Sequence, residues 1–216
     1  MIFGTASKNE RPVRLSESTR QFAYESLHGK YGDEAVSHGA VTLDDVEDFD
    51  MLDDYGKYNI AVRRIAEQAP LRITESERVC GAATLGLAIR HVVPATRNGN
   101  AVYGSMSHLT CGFDRAVNEG IDEYEKRIDL RLSDTENLDQ RQIRFLQSLR
   151  NTVASMRIWH KRYLDATKDS RPDLYENLQV VPFSKPRNFH QAVQSLWFCF
   201  AFTRLCGNWP GLGRID

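Results

Sequence analysis

The sequence lacks the short motifs by which many enzyme classes are recognised. Its 216 residues contain no GxGxxG, GxxxxGK[ST], GxSxG, HExxH or CxxC pattern, so dinucleotide-binding, P-loop, serine-hydrolase, zinc-protease and thiol-disulfide chemistry are not indicated. Cysteine is scarce too, and the four present are too few and too scattered for a disulfide framework. Such usage is typical of a protein of the reducing cytoplasm. The four are Cys80, Cys111, Cys199 and Cys206.

An excess of one charge and long apolar runs are also missing. Lys and Arg number 28 against 29 Asp and Glu, and this balance argues against nucleic acid or an anionic membrane as an obligate partner. The longest apolar run, LWFCFAF at residues 196–202, is far shorter than the roughly 20 residues of a membrane span. The opening MIFGTASKNERPVR does not predict a signal peptide.

The periodicity of the sequence is mainly helical. Apolar residues recur every three or four positions over residues 113–128, and over the longer stretch 138–168, which predicts two amphipathic helices. A further helix is predicted over residues 55–68. Residues 189–205 are apolar on nearly every side, so that helix is expected to be buried. This helical periodicity predicts a mostly α protein.

The remaining stretches predict turns and short strands. Residues 91–106 are rich in turn formers and too irregular for one helix. The alternation TLGLAI, at residues 84–89, predicts a short strand. Residues 180–183 are expected to be extended, because proline pushes its preceding residue out of the helical region. Pro172 stands where a new helix can begin. No linker divides the chain.

Most residues that could carry chemistry have a simpler structural interpretation. Cys199 and Cys206 have no histidine partners at metal-site spacing, so they are predicted to be small core residues. The acidic run at residues 44–50 lacks the spacing of a calcium loop, and a solvated helix start is expected instead. His160 and His190 lie in helical patterns and are predicted to be structural. No metal site is predicted.

His108 is the exception among the histidines. It lies in YGSMSHLTCGFD, between the turn-rich stretch and the helix predicted from Phe113. A histidine at such a junction can face a cleft, and its pKa suits proton transfer. Helix capping or simple solvent exposure would also account for it.

Two stretches together resemble the N-terminal part of the glycyl radical enzymes, the pyruvate formate-lyase family. NLQVVPFSKPRNFHQAVQSLWFCFAFTRLCGNWPGLGRID is similar to the family's Val-Pro turn, PxxFxxAxQxxWF helix, glycine-rich turn and GRxD strand. The matching residues there are Val181, Pro182, Pro186, Phe189, Ala192, Gln194, Trp197, Phe198, Gly213, Arg214 and Asp216. GSMSHLTCGFDRAVNEGI resembles the family's Gly-His stretch, with the acid shifted in position. The corresponding residues are His108, Phe113, Val117 and Gly120.

The resemblance implies a fold and a place in a larger enzyme. It covers roughly residues 55–216, and implies that residues 1–216 form a partial pyruvate formate-lyase-like domain, with residues 1–54 matching least. That domain is the helical N-terminal portion of a ten-stranded α/β barrel, truncated at the first barrel strands. Arg214 and Asp216 would be structural where the chain enters the barrel, as an ion pair or through strand-end hydrogen bonds.

The resemblance also implies where the catalytic groups lie. In the family, the catalytic cysteine and the radical-bearing glycine come later in the chain. No cysteine here has the catalytic context, and no RVxGY-like radical signature is present. The chain is therefore expected to carry no catalytic residue and to be inactive alone.

Cofactors and partners follow from the same resemblance. The parent enzyme would be a cytoplasmic lyase or dehydratase of anaerobic metabolism that acts on a small hydroxylated or carboxylated substrate. Its glycyl radical would be installed by a radical-SAM activating enzyme, and its oligomer would be a homodimer. No cofactor is expected in this chain itself, and no nucleic acid or membrane partner.

Three residues are candidates for substrate binding. In the dehydratase branch the histidine of the Gly-His motif contacts a substrate hydroxyl, which gives His108 that role. The turn before GRxD often supplies a His-Ser pair, and Asn208 and Trp209 take its place here. An amide and an indole donate hydrogen bonds but provide no base near neutral pH, so a larger or different substrate than glycerol is conceivable. Two alternatives stay open: a non-catalytic helical scaffold or binding protein, and a subunit completed by a second chain.

Overall fold

The computed structural model describes residues 16–28, 30, 41–75, 77–82, 95–102 and 107–211, and within them the chain is mostly helical. The helices are α1 (Glu17–Leu27), α2 (Asp54–Gln68), α3 (Phe113–Asn118), α4 (Ile121–Ser133), α5 (Gln140–Thr167), α6 (Pro172–Leu178) and α7 (Phe189–Leu205). The strands are β1 (Val41–Thr42), β2 (Ala95–Arg97), β3 (Asn100–Ala101), β4 (Ser107–Thr110) and β5 (Trp209–Gly211). Single 3₁₀ turns occupy Phe49–Met51 and Thr135–Asn137. No helix in this part of the chain is long and apolar enough to span a membrane.

The longest helix, α5, lies at the centre of the packing. Asp139 and Gln142 form a reciprocal capping box at its start, which satisfies two amide groups that a helix otherwise leaves unpaired. Along its length α5 packs against α2 on one side and α4 on the other. The predicted helix over residues 138–168 is confirmed, as are those over 55–68 and 189–205 and the helix start at Pro172.

The core forms where α5 meets α7. Trp159 is fully buried, and its ring lies 4.6 Å from that of Phe198 and 5.7 Å from that of Phe202. Tyr163 completes the cluster with an edge contact to Trp159 at 5.2 Å. Burying one such side chain stabilises the fold by roughly 1.5–3 kcal/mol. The prediction that α7 is buried is therefore confirmed, although Phe189 at its first turn is 85% exposed.

The single helix predicted over residues 113–128 is wrong, because the chain breaks between α3 and α4. Gly120 takes a φ of +87°, and the backbone of Phe183 approaches it closely. The first amide groups of α4 are therefore paired outside the helix: the backbone N–H groups of Ile121 and Asp122 donate to the carbonyls of Pro182 and Phe183, each at 3.0 Å.

The extended conformation predicted for residues 180–183 is also wrong. These residues form turns, and the peptide bond between Val181 and Pro182 is cis. His160 explains the geometry, since its Nε2 lies 2.8 Å from the carbonyl oxygen of Leu178 and 3.1 Å from that of Val181. The structural role predicted for His160 is confirmed. The strand predicted over residues 84–89 lies outside the described residues.

The acidic run at residues 44–50 is not the solvated helix start that was predicted. Asp45 pairs with Arg64 at 2.8 Å and Asp50 with Arg97 at 3.0 Å, and α2 begins only at Asp54. The run thus joins α2 to a three-stranded sheet in which β1 is parallel to β2, and β2 and β3 form a hairpin. The hairpin turns through Asn98 and Gly99, both with positive φ, which confirms the non-helical prediction for the described part of residues 91–106.

Replacing Gly120 by alanine is expected to destabilise the protein strongly. A Cβ at this position would lie 2.5 Å from the Phe183 carbonyl oxygen, and left-handed backbone alone costs a non-glycine residue about 1–2 kcal/mol. With the clash added, we expect a loss of about 3–4 kcal/mol in the free energy of unfolding, measured by urea denaturation.

Gly99→Ala is the matched control. Gly99 has a φ of +75°, but a Cβ there would meet nothing within 4 Å, so only the conformational cost of about 1–2 kcal/mol applies. Equal losses for the two variants would show that the approach of Phe183 to Gly120 does not matter.

Candidate functional site

Strands β4 and β5 bring the sequence-predicted binding residues together. The strands are parallel, and Ser107 pairs with Trp209, Leu109 with Pro210. The register shifts between these two pairs, so β4 has one more residue than β5 there, and that residue is His108. A register shift of this kind, a β-bulge or similar irregularity, is common beside active sites. His108 thus lies in a strand, five residues before α3 begins at Phe113, and Trp209 lies on the neighbouring strand.

The turn that ends α7 sets the position of Asn208, directly before β5. Gly207 has a φ of +90°, which glycine tolerates at no steric cost. The backbone N–H of Gly207 donates to Arg204 at 3.0 Å, and that of Asn208 donates to Thr203 at 3.1 Å. The carbonyls of the last turn of α7 are thereby paired, and the backbone of Asn208 is fixed relative to the helix.

Tyr58 of α2 is a neighbour of this turn that the sequence patterns did not single out. It is half-buried and packs against the hydrophobic core. Burial raises the pKa of Tyr58 and that of the Cys206 thiol, so both groups are neutral at physiological pH. The sequence could have indicated that Tyr58 is partly buried, because it stands three and four positions before Ala61 and Val62, which lie on the buried face of α2.

Helix α7 is aligned by a segment that we call the strap, residues 74–75 and 77–82. Gln194 is fully buried, and its amide accepts from the backbone N–H of Cys80 at 2.7 Å and donates to the Cys80 carbonyl at 2.9 Å. His190 Nε2 lies 2.6 Å from the carbonyl oxygen of Arg78, which confirms its structural role. The hydroxyl of Tyr163 donates to the carbonyl of Ala82.

One arginine holds the other end of the strap. The guanidinium of Arg171 donates to the carbonyls of Thr74 at 2.8 Å and Glu77 at 2.5 Å, while Asp173 accepts from it at 2.8 Å. The Glu77 carboxylate accepts from the backbone N–H of Thr74 at 3.0 Å. Burial raises the pKa of Glu77 from its ordinary 4.5 to about 7, although the Thr74 N–H and the charge of Arg171 oppose the shift.

The cysteines do not form a reactive centre. Burial raises the pKa values of Cys80 and Cys199 to about 12, and a neutral buried thiol is a poor nucleophile. The prediction that Cys199 and Cys206 are core residues is confirmed by their burial. Within the described ranges, no group of three or more His, Cys, Asp or Glu could hold a metal ion.

Two cavities lie beside α5. One, of about 590 Å³, opens between α2 and α5 and includes Tyr58 and Val102 in its lining. The other, of about 370 Å³, lies between α4 and α5 and is almost wholly apolar, with Ile128 and Met156 in its walls. Arg214 and Asp216 lie outside the described residues, so their structural role stays a prediction.

A family model and several solved structures match this chain. Residues 88–216, more than half of the chain, match the model of the family described as pyruvate formate lyase-like. The structural neighbours are glycyl radical enzymes, dehydratases among them. The chain belongs to the pyruvate formate lyase-like family, and the resemblance drawn from its sequence is confirmed. No curated protein sequence matches the chain.

Three solved structures show the shared fold. A structure concerned with 1,2-propanediol dehydration in Roseburia inulinivorans has a TM-score of 0.65 at 13% identity, covering 91% of this chain and 34% of that one. A glycyl radical enzyme from Archaeoglobus fulgidus gives 0.60 at 16% identity, over 95% and 34%. The glycerol-bound B12-independent glycerol dehydratase from Clostridium butyricum gives 0.54 at 13% identity, over 69% and 29%. The chain thus spans about a third of the length of these structures.

We expect the free energy of unfolding to depend on pH through the carboxyl group of Glu77 in the strap. Because the folded-state pKa of Glu77 is raised from 4.5 to about 7, the unfolded state loses this proton first as the pH rises. Stability from this group is full below pH 4.5, falls as the pH rises, and is lost above pH 7. Glu77→Gln should match the parent near pH 4.5 and exceed its free energy of unfolding by about 3 kcal/mol above pH 7.

The measurement is urea unfolding of both proteins at the two ends of this pH range. Glu75→Gln is the matched control, because Glu75 belongs to the same turn but is exposed. A gain from Glu77→Gln that is the same at both pH values would rule out titration of Glu77 as its cause.

Proposed function

We propose that the chain is the N-terminal part of a glycyl radical enzyme, a lyase or dehydratase acting on a small hydroxylated or carboxylated substrate. Family membership supports the reaction class. The observation that carries the site is the parallel pairing of β4 and β5, which places His108 and Trp209 on adjacent strands. Asn208 directly precedes β5 and completes the group.

Each of the three residues has a role that fits its chemistry. His108 occupies the bulge of β4, and its imidazole can donate a hydrogen bond to a substrate hydroxyl or exchange a proton with it. Asn208 can both donate and accept through its amide, whereas the indole of Trp209 donates only. Together they suit a neutral, hydroxyl-bearing substrate such as a small diol.

The remainder of the active site is proposed to come from outside these residues. A glycyl radical abstracts hydrogen through a thiyl radical, and this chemistry needs a closed cavity that excludes water. Among the described residues, β4 and β5 pair only with each other, and the described thiols are buried or, at Cys111, half-buried with a raised pKa. None of them fits the part of the radical-bearing cysteine, so we assign no catalytic step to this chain.

The chain alone is therefore proposed to be inactive, and its whole enzyme to be a homodimer of the anaerobic cytoplasm. Its solved relatives are about three times as long as the part that matches. We expect the coding DNA to continue in frame past the codon for Asp216 toward a catalytic cysteine and an RVxGY-like signature. The radical glycine would be activated there by a radical-SAM enzyme.

The experiment that tests the function is anaerobic activation of the full-length protein with a radical-SAM activating enzyme. We expect an electron paramagnetic resonance doublet from a glycyl radical. We also expect conversion of 1,2-propanediol or glycerol, the compounds associated with two of the relatives, to the corresponding aldehyde and water. A full-length protein that never forms a radical would instead favour the scaffold alternative.

His108→Ala in that enzyme is expected to lower kcat/KM about 10- to 100-fold, because a hydrogen bond to the substrate is lost and its partner is left unpaired. The glycyl radical signal should not change. His28→Ala is the control, since His28 is an exposed histidine of α1. An unchanged kcat/KM for His108→Ala would remove His108 from the substrate site.

A further inference from the structure

The cavity between α4 and α5 extends along both helices as a cleft. Its wall on α4 is formed by Ile121, Tyr124 and Ile128, which share one face of the helix because they are spaced three and four residues apart. Seven residues of helix are about 10 Å long, so the cleft has roughly that length. Its volume of about 370 Å³ lies within the range of sites that hold small ligands.

Ion pairs near both ends of the cleft hold α4 against α5. Nη2 of Arg157 lies 2.7 Å from a carboxylate oxygen of Asp122, near the start of α4. Nε of Arg150 lies 3.1 Å from Asp129, beside the other end of the cleft. The start of α4 is also fixed by its backbone bonds to the turn at residues 182–183. These contacts set the separation of the helices, and the side chains between them leave the cleft unfilled.

The uncharged polar groups in the lining are already paired within the protein. The hydroxyl of Tyr124 donates to the carbonyl of Gly112 at 3.1 Å, and that of Thr152 donates to the carbonyl of Ser148 at 3.0 Å. Apart from two arginines, the other described lining residues are apolar. The described walls therefore suit the hydrocarbon part of a ligand, since a polar part buried there would lose its hydrogen bonds to water.

The two arginines of the lining differ in their partners. Arg127 forms an ion pair with Glu119, and its guanidinium lies 5.2 Å from the centre of the Tyr124 ring. Arg115 of α3 is exposed, and its side chain forms no hydrogen bond or ion pair with any other residue that the structure describes. Because the walls are almost wholly apolar, the stem of Arg115 lines the cleft and its charged end lies in water at the edge.

We propose that this cleft binds an amphipathic carboxylate, with its aliphatic chain between α4 and α5 and its carboxylate paired with Arg115. The charge is complementary, because the described lining holds two arginines and neither Asp nor Glu, and a guanidinium matches the geometry of a carboxylate. A length of about 10 Å accommodates a chain of roughly eight carbons, since each C–C bond is about 1.5 Å long. The cleft shares no residue with the group of His108, Asn208 and Trp209, so the proposal goes beyond the proposed function and does not depend on it.

The test is isothermal titration calorimetry of the full-length protein with octanoate, 1-octanol and acetate. Octanoate and 1-octanol carry the same chain, so both should bind, and octanoate should bind about 2- to 5-fold more tightly because an exposed ion pair adds a modest amount. Acetate lacks the chain and should not bind. Absence of octanoate binding, or equal binding of acetate, would overturn the proposal.

Arg115→Met tests the role assigned to the charge. The variant keeps an apolar stem at the edge of the cleft, so the affinity for octanoate should fall about 2- to 5-fold while that for 1-octanol stays the same. Arg141→Met is the matched control, because Arg141 is an exposed arginine of α5 outside the lining. A preference for octanoate over 1-octanol that survives in Arg115→Met would show that this guanidinium does not bind the carboxylate.

Val153→Phe tests the place of the chain. Val153 lines the cleft from α5, and a larger side chain there should fill the space and weaken the binding of both eight-carbon ligands about 10-fold or more. Unchanged affinities in a folded Val153→Phe protein would contradict the proposed place.

A crystal structure of the full-length protein with octanoate provides a readout that needs neither this variant nor turnover. We expect the chain between α4 and α5 and the carboxylate at Arg115. Another segment of the protein or a second copy seated in the cleft would overturn the proposal, as would octanoate bound elsewhere. A protein that binds octanoate in the cleft but never forms a glycyl radical would contradict the proposed function alone.

Discussion

The packing of α7 against α5 is the constraint on which the rest of the structure depends. Trp159 packs at a tilt against Phe198 and Phe202, and this contact fixes the axis of the helix that leads directly into β5. An aromatic cluster fixes the distance between the helices but tolerates sliding. The paired hydrogen bonds between Gln194 and Cys80 remove that tolerance, because an amide that bonds both groups of one residue has a single position. The location of Asn208 follows from these two contacts.

Side chains take the place of regular secondary structure in the strap. Most of the strap carbonyls described above are hydrogen-bonded to side chains and not to a neighbouring strand. These side chains belong to Arg171, His190, Gln194 and Tyr163. Buried backbone groups must find partners. Ala82, at the end of the strap, forms a backbone bridge with Arg72, and the other carbonyls accept from polar side chains that reach them. This explains why polar and charged residues occur on α5, α6 and α7 at positions that face other elements.

Much of the fold could be predicted from the sequence, because helical periodicity is a local signal. The spacing of apolar residues defined α2, α5 and α7, and Pro172 marked the start of α6. The break at Gly120 could not be predicted in this way, since its cause is the approach of Phe183 from a distant turn. The turns at residues 180–183 depend in the same way on His160.

The same distinction between local and long-range signals applies to the candidate site. His108, Asn208 and Trp209 could be selected because they lie in motifs with a recognisable order along the chain. Tyr58 belongs to no motif, and only its packing in the folded chain shows that it is half-buried against the core. The acidic run at residues 44–50 was misjudged because its arginine partners, Arg64 and Arg97, lie far away in the sequence. Charge patterns alone do not show which pairs will meet.

The parallel pairing of β4 with β5 has a consequence for the order of folding. Residues 107 and 209 are neighbours although α3 to α7 lie between them in the chain, and contacts between such distant residues form slowly because a long loop must first close. On a translating ribosome β4 emerges before β5, so the two strands cannot pair until α7 has been synthesised. We therefore expect the pairing of β4 with β5 to be a late step in the folding of the described chain.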